Sequence, residues 1–433
     1  MRAPQVLRGA RWAAAAALVP LALGASTASA SRAHNGQHHA ILFVAPAGTS
    51  ANSDTSCQAA GFASIQAAIG AAAPGTTVVV CAGAYHEQVR IDRPLQLVSR
   101  GATIDETGVT PSDALAIPGI GTETIFAAVV ITSSHVRLSG LTITGAAGEG
   151  VLVVGLGATL RDVLLSRDTV VGNDRGGGVP PASTYFECQP SGQIPGDCGE
   201  GIHLTGVADS AVLDSYVAGN SGGILLSDDT GPTHDNLVEG NVVTANPFDC
   251  GVTLPGHNPN ALAASGAPRP ALGGVYRNVV RHNVITGNGL AGEGAGVLLA
   301  DAGPGTASYD NVVAGNYIAG NELSGVTMHA HTLPPGAVED LSGNVVVDNV
   351  IGQNNLGSPA AGPGDPLDGP PVTDPLTTGI LVFSGSVPVS TTIARNRIFG
   401  DAVGIWLGTR HLVSATLDDN LFFAVATPVS ADN

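Results

Sequence analysis

Asn311-Val-Val-Ala-Gly-Asn316-Tyr-Ile-Ala-Gly-Asn321, with Gly325-Val-Thr-Met328 just beyond it, is a unit that recurs along the chain. Asparagines fall every five residues, with short apolar pairs between them and a Gly-led apolar strand after them. The unit returns at Asn236/Asn241/Asn246, Asn278/Asn283/Asn288 and Asn344/Asn349/Asn354, and decays at Asn396/Asp401. Self-similarity of this kind marks a solenoid, in which each rung buries its apolar face only by stacking on its neighbours. The rungs require inward apolar side chains at alternate positions and turns that tolerate left-handed backbone. Asn is the non-glycine residue best suited to that conformation, so the repeated asparagines are expected to make the turns. Stacking also places each Asn above its counterpart, where side-chain amides can bond as a ladder. The expected fold is all-β, a parallel β-helix, and the regular asparagines are read as structural.

The segment before the repeats reads as a cap. Ile41-Leu-Phe-Val44 is extended. In Phe62-Ala-Ser-Ile-Gln-Ala-Ala-Ile69, Ile65 and Ile69 share a helical face, Ser64 can cap the start, and Pro74-Gly75 stops the helix. Thr77–Val80, Val89–Ile91 and Leu95–Val98 read as short strands. A short helix over one end of a strand stack protects the open edges there.

The chain has 433 residues, 59 of them Gly and 28 Pro, only 4% aromatic, and no lysine. Its formal charge of −18 excludes a nucleic-acid partner, since phosphate binding needs clustered basic residues. Arg2, Arg8 and Arg11 precede an apolar run ending at Leu23, and Ala28-Ser29-Ala30 offers a cleavage site, the layout of a secretory signal peptide over residues 1–30. Its loss would take the charge to −21. Residues 31–40 read as a disordered leader. No later segment is long and apolar enough to span a membrane, so a secreted, monomeric protein is expected. In an oxidising compartment Cys57–Cys81 and Cys188–Cys198 are the natural local disulfides, leaving Cys250 as a small buried apolar residue.

The run Ala63-Ser-Ile-Gln-Ala-Ala-Ile69, Pro74-Gly-Thr-Thr-Val-Val-Val80, Gly83-Ala-Tyr-His-Glu87 and Pro94-Leu-Gln-Leu97 resembles the N-terminal cap and first coil of right-handed parallel β-helix proteins. These belong to the pectin-lyase-like superfamily, which includes the NosD-like repeat proteins. The resemblance continues through the Asn units to about Phe423. It implies a single-stranded right-handed parallel β-helix, with cap and first coils over residues 41–106, repeats with loop insertions over 107–423, and a tail or end cap over 424–433. The superfamily holds lyases, hydrolases, epimerases and non-enzymes, so it implies no one activity.

Aligning the Gly-led strands locates the candidate site. They begin at Gly201, Gly223, Gly251, Gly296, Gly325, Gly379 and Gly404. Their second and fourth positions are expected to point inward. Their third positions, His203, Leu225, Thr253, Leu298, Thr327, Leu381 and Trp406, are expected to form an outward row. After the central strands come Ser227-Asp228-Asp229, Pro255-Gly256-His257, Ala300-Asp301-Ala302 and His329-Ala330-His331. These acids and histidines would gather at one edge of four neighbouring rungs, walled by the insertions at 255–274 and 333–340. The Pro/Gly/Asp-dense segment 357–375 reads as an excursion from the stack.

Carboxylates and imidazoles so placed can act as general acid and base or hold a cation. Asp228, Asp229, His257, Asp301, His329 and His331 are the catalytic candidates. Trp406, Arg410 and His203 are candidate substrate contacts. Asp228-Asp229 followed by Gly256-His257-Asn258 partly resembles the coils of polygalacturonases, with Asn258 where that family has Gly. A pectate-lyase-like elimination would use Asp228, Asp229 and Asp301 to hold Ca2+, and His257 or His329 as base. The expected function is an exported protein that acts on, or binds, an acidic or neutral polysaccharide in a groove around residues 223–331, as a lyase or hydrolase if it is catalytic. The competing reading is a non-catalytic cell-surface scaffold that binds glycans.

Overall fold

A computed structural model describes residues 40–46, 54–118, 121–174, 199–291, 294–301, 303–331, 333–356, 377–409 and 411–431. The expected signal peptide and most of the leader lie outside these residues, as do the Cys188–Cys198 pair, the excursion at 357–375 and Arg410.

The chain folds as a right-handed parallel β-helix. One complete coil runs through the strands Thr233–His234, Leu237–Glu239, Val242–Thr244 and Val252–Gly256. Each strand pairs in parallel with its equivalents in the coils before and after it. The Gly-led strands stack as aligned from sequence, with Ile202, Ile224, Val252, Val297, Val326, Ile380 and Ile405 forming one column of register partners. Those side chains are almost wholly buried. Burying one such aliphatic group is worth about 1.5–3 kcal/mol, so an uninterrupted column supplies most of the drive to stack.

Glycine leads these strands because the interior narrows there. A Cβ on Gly296 would sit 2.3 Å from Ile318 Cγ2 and 2.5 Å from the Gly325 carbonyl oxygen.

The asparagines form three ladders at the coil corners. Nδ2 of Asn278, Asn283 and Asn288 donates to Oδ1 of Asn311, Asn316 and Asn321 at 3.1, 3.0 and 3.0 Å. The backbone N–H of each donates to the same oxygen. The turn conformation, however, belongs to the preceding residue. Asp310, Gly315 and Gly320 have φ of 55°, 65° and 70°, whereas Asn311, Asn316 and Asn321 do not have positive φ and are buried. An Asn at the left-handed position would direct its amide away from the stack, so the two tasks fall on neighbouring residues.

The cap forms as expected. The helix Ile65–Ala71 is capped by Ser64, whose side chain accepts from the Ala67 amide. Glu87 takes up the Ile65 and Gln66 amides at 2.7 and 3.0 Å, filling the remaining donors of the first turn. The Cys57–Cys81 disulfide ties this region to the strand Thr76–Tyr85. Cys250 is free and buried. The segment after Phe423 is more than a tail: Thr427–Ala431 is a strand paired in parallel with Val403–Leu407.

Candidate active site

The site lies where the strands Gly222–Ser227 and Val252–Gly256 end. Continuing the register past Ser227 sets Asp228 in the column of Gly256, Asp301, Ala330 and Ser384. Alternation makes this an inward column, and Asp228 and Asp301 have no exposed surface. This corrects the expectation that both carboxylates face the outer edge. The pleat persists one residue beyond Ser227 and through Asp301, the last residue of the strand Val297–Asp301, and turns both into the corner.

Asp228 is a backbone clamp. Its Oδ1 accepts from the amides of His257 and Asn258 at 2.6 and 2.9 Å, and its Oδ2 from that of Gly274 at 2.5 Å. One carboxylate thus fastens both ends of the 255–274 insertion. Burial pushes its pKa up to about 6, against the pull of those amide donors.

Asp229 points the other way and is partly exposed. Its Oδ1 and Oδ2 lie 3.1 and 3.3 Å from Nδ1 of His257, whose ring is 30% exposed. Burial opposes its charge, but His257, then His203 and the Ser227 hydroxyl, outweigh it and hold the Asp229 pKa well below the usual carboxylate range.

The row expected to face outward is largely covered. His203 has no exposed surface, and Leu225, Thr253, Thr327 and Leu381 are at most 9% exposed. In the first coils the covering element is the antiparallel pair Ala114–Ile117 and Gly121–Thr124, whose Leu115 and Ile117 pack on Val130 and Leu152 of the same row. His203 therefore reaches no surface substrate. Its Nε2 lies 2.8 Å from Ser227 Oγ and its Nδ1 3.7 Å from Glu149 Oε1, both partners also fully buried. Neither Ser227 nor Glu149 was anticipated. The signal available was an acid directly before Gly in two successive coils, Glu149-Gly150 and Glu200-Gly201.

Asp301, His329 and His331 form a separate group. Nδ1 of His331 contacts the carbonyl oxygen of Asp301, and the His329 and His331 rings meet edge to face at 4.8 Å. Both carboxylate oxygens of Asp301 are buried, and burial, with Glu339, Asp340 and Asp228 nearby, raises its pKa well above the usual range. The 255–274 and 333–340 insertions meet over this group, with Ala261, Leu262 and Ala307 packed against Val338. Trp406 is half-buried four coils beyond Thr253, roughly 20 Å along the stack, and stands apart from the site.

A calcium ion held by Asp228, Asp229 and Asp301 does not fit this arrangement. Asp228 spends both oxygens on amides, Asp301 faces the interior and Asp229 serves His257. Among the described residues no three His, Cys, Asp or Glu side chains are placed to hold a metal.

Residues 167–332 match the family described as periplasmic copper-binding protein (NosD). The match takes in the ladders from Asn173 to Asn321 and the Asp229–His257 pair. The A-module of a mannuronan C-5 epimerase from Azotobacter vinelandii is 17% identical, over 85% of this chain and 94% of that one, with a TM-score of 0.43. A pectate lyase is 14% identical over 88% and 78%, with a TM-score of 0.48. An alginate lyase from Paenibacillus sp. is 10% identical over 83% and 96%, with a TM-score of 0.39. No curated protein matches the chain.

Proposed function

We propose that this chain is an exported glycan-binding β-helix that performs acid–base chemistry on a polysaccharide, with Asp229 and His257 as the reacting pair. The observation that carries this reading is their contact at 3.1 Å on a partly exposed edge, beside a buried carboxylate that fixes the His257 backbone. A carboxylate on Nδ1 orients the imidazole and supports the charge it gains when Nε2 takes a proton. The stack provides the rigid surface along which an extended polymer can lie, and loops rising from such a scaffold commonly carry function. The Cys57–Cys81 disulfide supports export, since such bonds persist in oxidising compartments. No described helix is long and apolar enough to cross a membrane.

Copper binding is named in the description of the matched family, but among the described residues no three His, Cys, Asp or Glu side chains are placed to hold a metal. Within the matched span, His203, His234, His257, His282 and His331 each face a different partner: Ser227, Asp235, Asp229, Glu239 and the Asp301 carbonyl. No step through a metal is therefore derived.

The test is a panel of uronate-rich and neutral polysaccharides, assayed for binding and bond cleavage with and without chelator. Cleavage is expected on one class, insensitive to chelator and lost in His257→Ala and Asp229→Asn. Binding without cleavage would reduce the protein to a glycan-binding scaffold. Neither binding nor cleavage on any glycan would overturn the reading.

A further inference from the structure

On another side of the coil a strip of sheet is left uncovered among the described residues. It is built from the strands Tyr216–Ala218, Val242–Thr244, Val284–Thr286, Tyr317–Ala319, Val350–Gly352, Arg397–Phe399 and Leu421–Phe423, each paired in parallel with the next. We propose that this strip is a second carbohydrate-binding face, on which an extended neutral polysaccharide lies along the stack with Tyr216 and Tyr317 as its aromatic platforms. It takes from the proposed function only the premise that the ligand is a glycan, and it uses neither Asp229 nor His257.

Each three-residue strand sends its middle side chain into the core and the other two outward. Val217, Val243, Ile285, Ile318 and Ile351 are buried accordingly, whereas Tyr216, Val284 and Tyr317 are 44, 40 and 42% exposed. The register runs Tyr216, Val242, Val284, Tyr317. The two rings therefore stand in one column three strand spacings apart, roughly 14 Å. Ladder asparagines five residues apart fix both corners of the central coils, so the chain between them carries no insertion. The outer row of the Gly-led strands is covered, and this one is not. Single exposed apolar residues are ordinary, but a contiguous flat run of them marks a binding surface.

Charge and area select the occupant. The outward positions from Tyr216 to Gly352 include no charged side chain. On the neighbouring side and corner, Arg281 and Arg395 are bonded to Glu239 and Asp348 at 2.9 and 2.8 Å. A polyuronate would thus find no counter-charge there, on a chain whose formal charge is −18. A neutral polymer meets no such penalty. A second copy is poorly served: three residues by seven strands cover about 300 Å², well under the roughly 800 Å² per partner of a stable dimer. A glycan asks for less. The C–H face of a pyranose rests on an aromatic ring while its hydroxyls stay in water or reach the tyrosine tip. The chain is only 4% aromatic, yet Phe399 and Phe423 extend the same strip, so composition alone does not account for the rings.

The test is depletion of the full-length protein from solution by insoluble cellulose, chitin and mannan, with alginate and polygalacturonate gels as the uronate arms. Adsorption is expected on at least one neutral polymer and should persist at high salt. Tyr216→Ala and Tyr317→Ala should each weaken it about 3–10-fold, the range that an aromatic contact supplies. In the double variant the losses should multiply, because the two positions are too far apart to couple. Tyr317→Phe keeps the ring and should adsorb as the wild type does, and so should His257→Ala. Circular dichroism checks that each variant folds. A wild type that adsorbs to no neutral polymer, or to uronates alone, overturns the inference, as does a folded double variant that adsorbs undiminished. A wild-type dimer that the double variant dissociates assigns the strip to a second copy and overturns it equally. Cleavage that depends on His257, with adsorption indifferent to both tyrosines, keeps the proposed function and sinks the strip. Adsorption that depends on the tyrosines, in a protein that cleaves no glycan, keeps the strip and sinks the proposed chemistry.

Discussion

Asp228 and Asp229 grip opposite ends of one histidine: the first accepts from the His257 amide at 2.6 Å, the second from its ring Nδ1 at 3.1 Å. Adjacent residues can do this because the pleat sends one side chain inward and the next outward. Asp228→Asn tests the inward half. An amide group can still accept from His257 and Asn258, but it turns an N–H toward that of Gly274. We expect a loss of about 1–3 kcal/mol, the cost of a buried donor left unpaired. Chemical denaturation measures it, and hydrogen exchange should locate the opening at Gly274. Unchanged protection there would refute the clamp.

The ladders predict a difference between deleting and charging a rung. Asn316 accepts from Asn283 and donates to Asn349 Oδ1 at 3.0 Å and to the Val280 carbonyl at 2.9 Å. Asn316→Ala strands several buried groups and should cost about 2–5 kcal/mol. Asn316→Asp sets a carboxylate against the Asn349 oxygen, so the new acid will be held protonated in the fold. Its variant should be more stable at pH 5 than at pH 8, as denaturant midpoints at the two values would reveal.

Buried acids give the wild-type protein a similar slope. Burial lifts Glu106 to about 8, with Glu149 adding to the effect, and lifts Asp168 to about 7. An acid whose folded pKa is raised binds more protons when folded. Its contribution is present below the unfolded pKa and lost as pH rises through the folded one. Stability should therefore decline between about pH 5 and pH 8, and Glu106→Gln should flatten that decline. Asp235 works in the opposite sense: Arg277 holds it down at about 2, so its contribution is lost only in strong acid. A denaturation midpoint that rises from pH 5 to pH 8 would contradict the assignment.

Gly296→Ala tests the narrowing of the interior. Its Cβ would overlap both Ile318 and the next coil's carbonyl. Overpacking of this kind costs typically 1–3 kcal/mol, and Ile318→Val in the same chain should recover part of it. Additive losses in the double variant would argue against the contact.

Much of the scaffold was legible in the sequence. The spacing of Asn311, Asn316 and Asn321 located the corners, and the Gly-led strands gave a register that the structure reproduces residue for residue. The turn conformation was misplaced by one position, because sequence alone does not separate the residue that bends the backbone from the one that fills the corner. The candidate site was half legible. Asp229 and His257 do come together, since both leave the ends of paired strands. Asp228 and Asp301 turn inward, as extending the strand alternation two residues past Leu226 and Leu299 predicts. Glu149 joins the site from two coils before Ser227, and its contact depends on which side chains the outer row covers. No local pattern encodes that covering.

The corner ladders also say how such a chain can change over time. Successive bonded asparagines are 24, 26, 33, 42 or 47 residues apart, yet the hydrogen bonds between them remain 2.8–3.3 Å long. All variation in coil length is thus expelled to the periphery, where it alters loops without altering the stack. Whole coils are interchangeable parts, and inheritance can lengthen, shorten or re-edge the molecule while the interior stays the same.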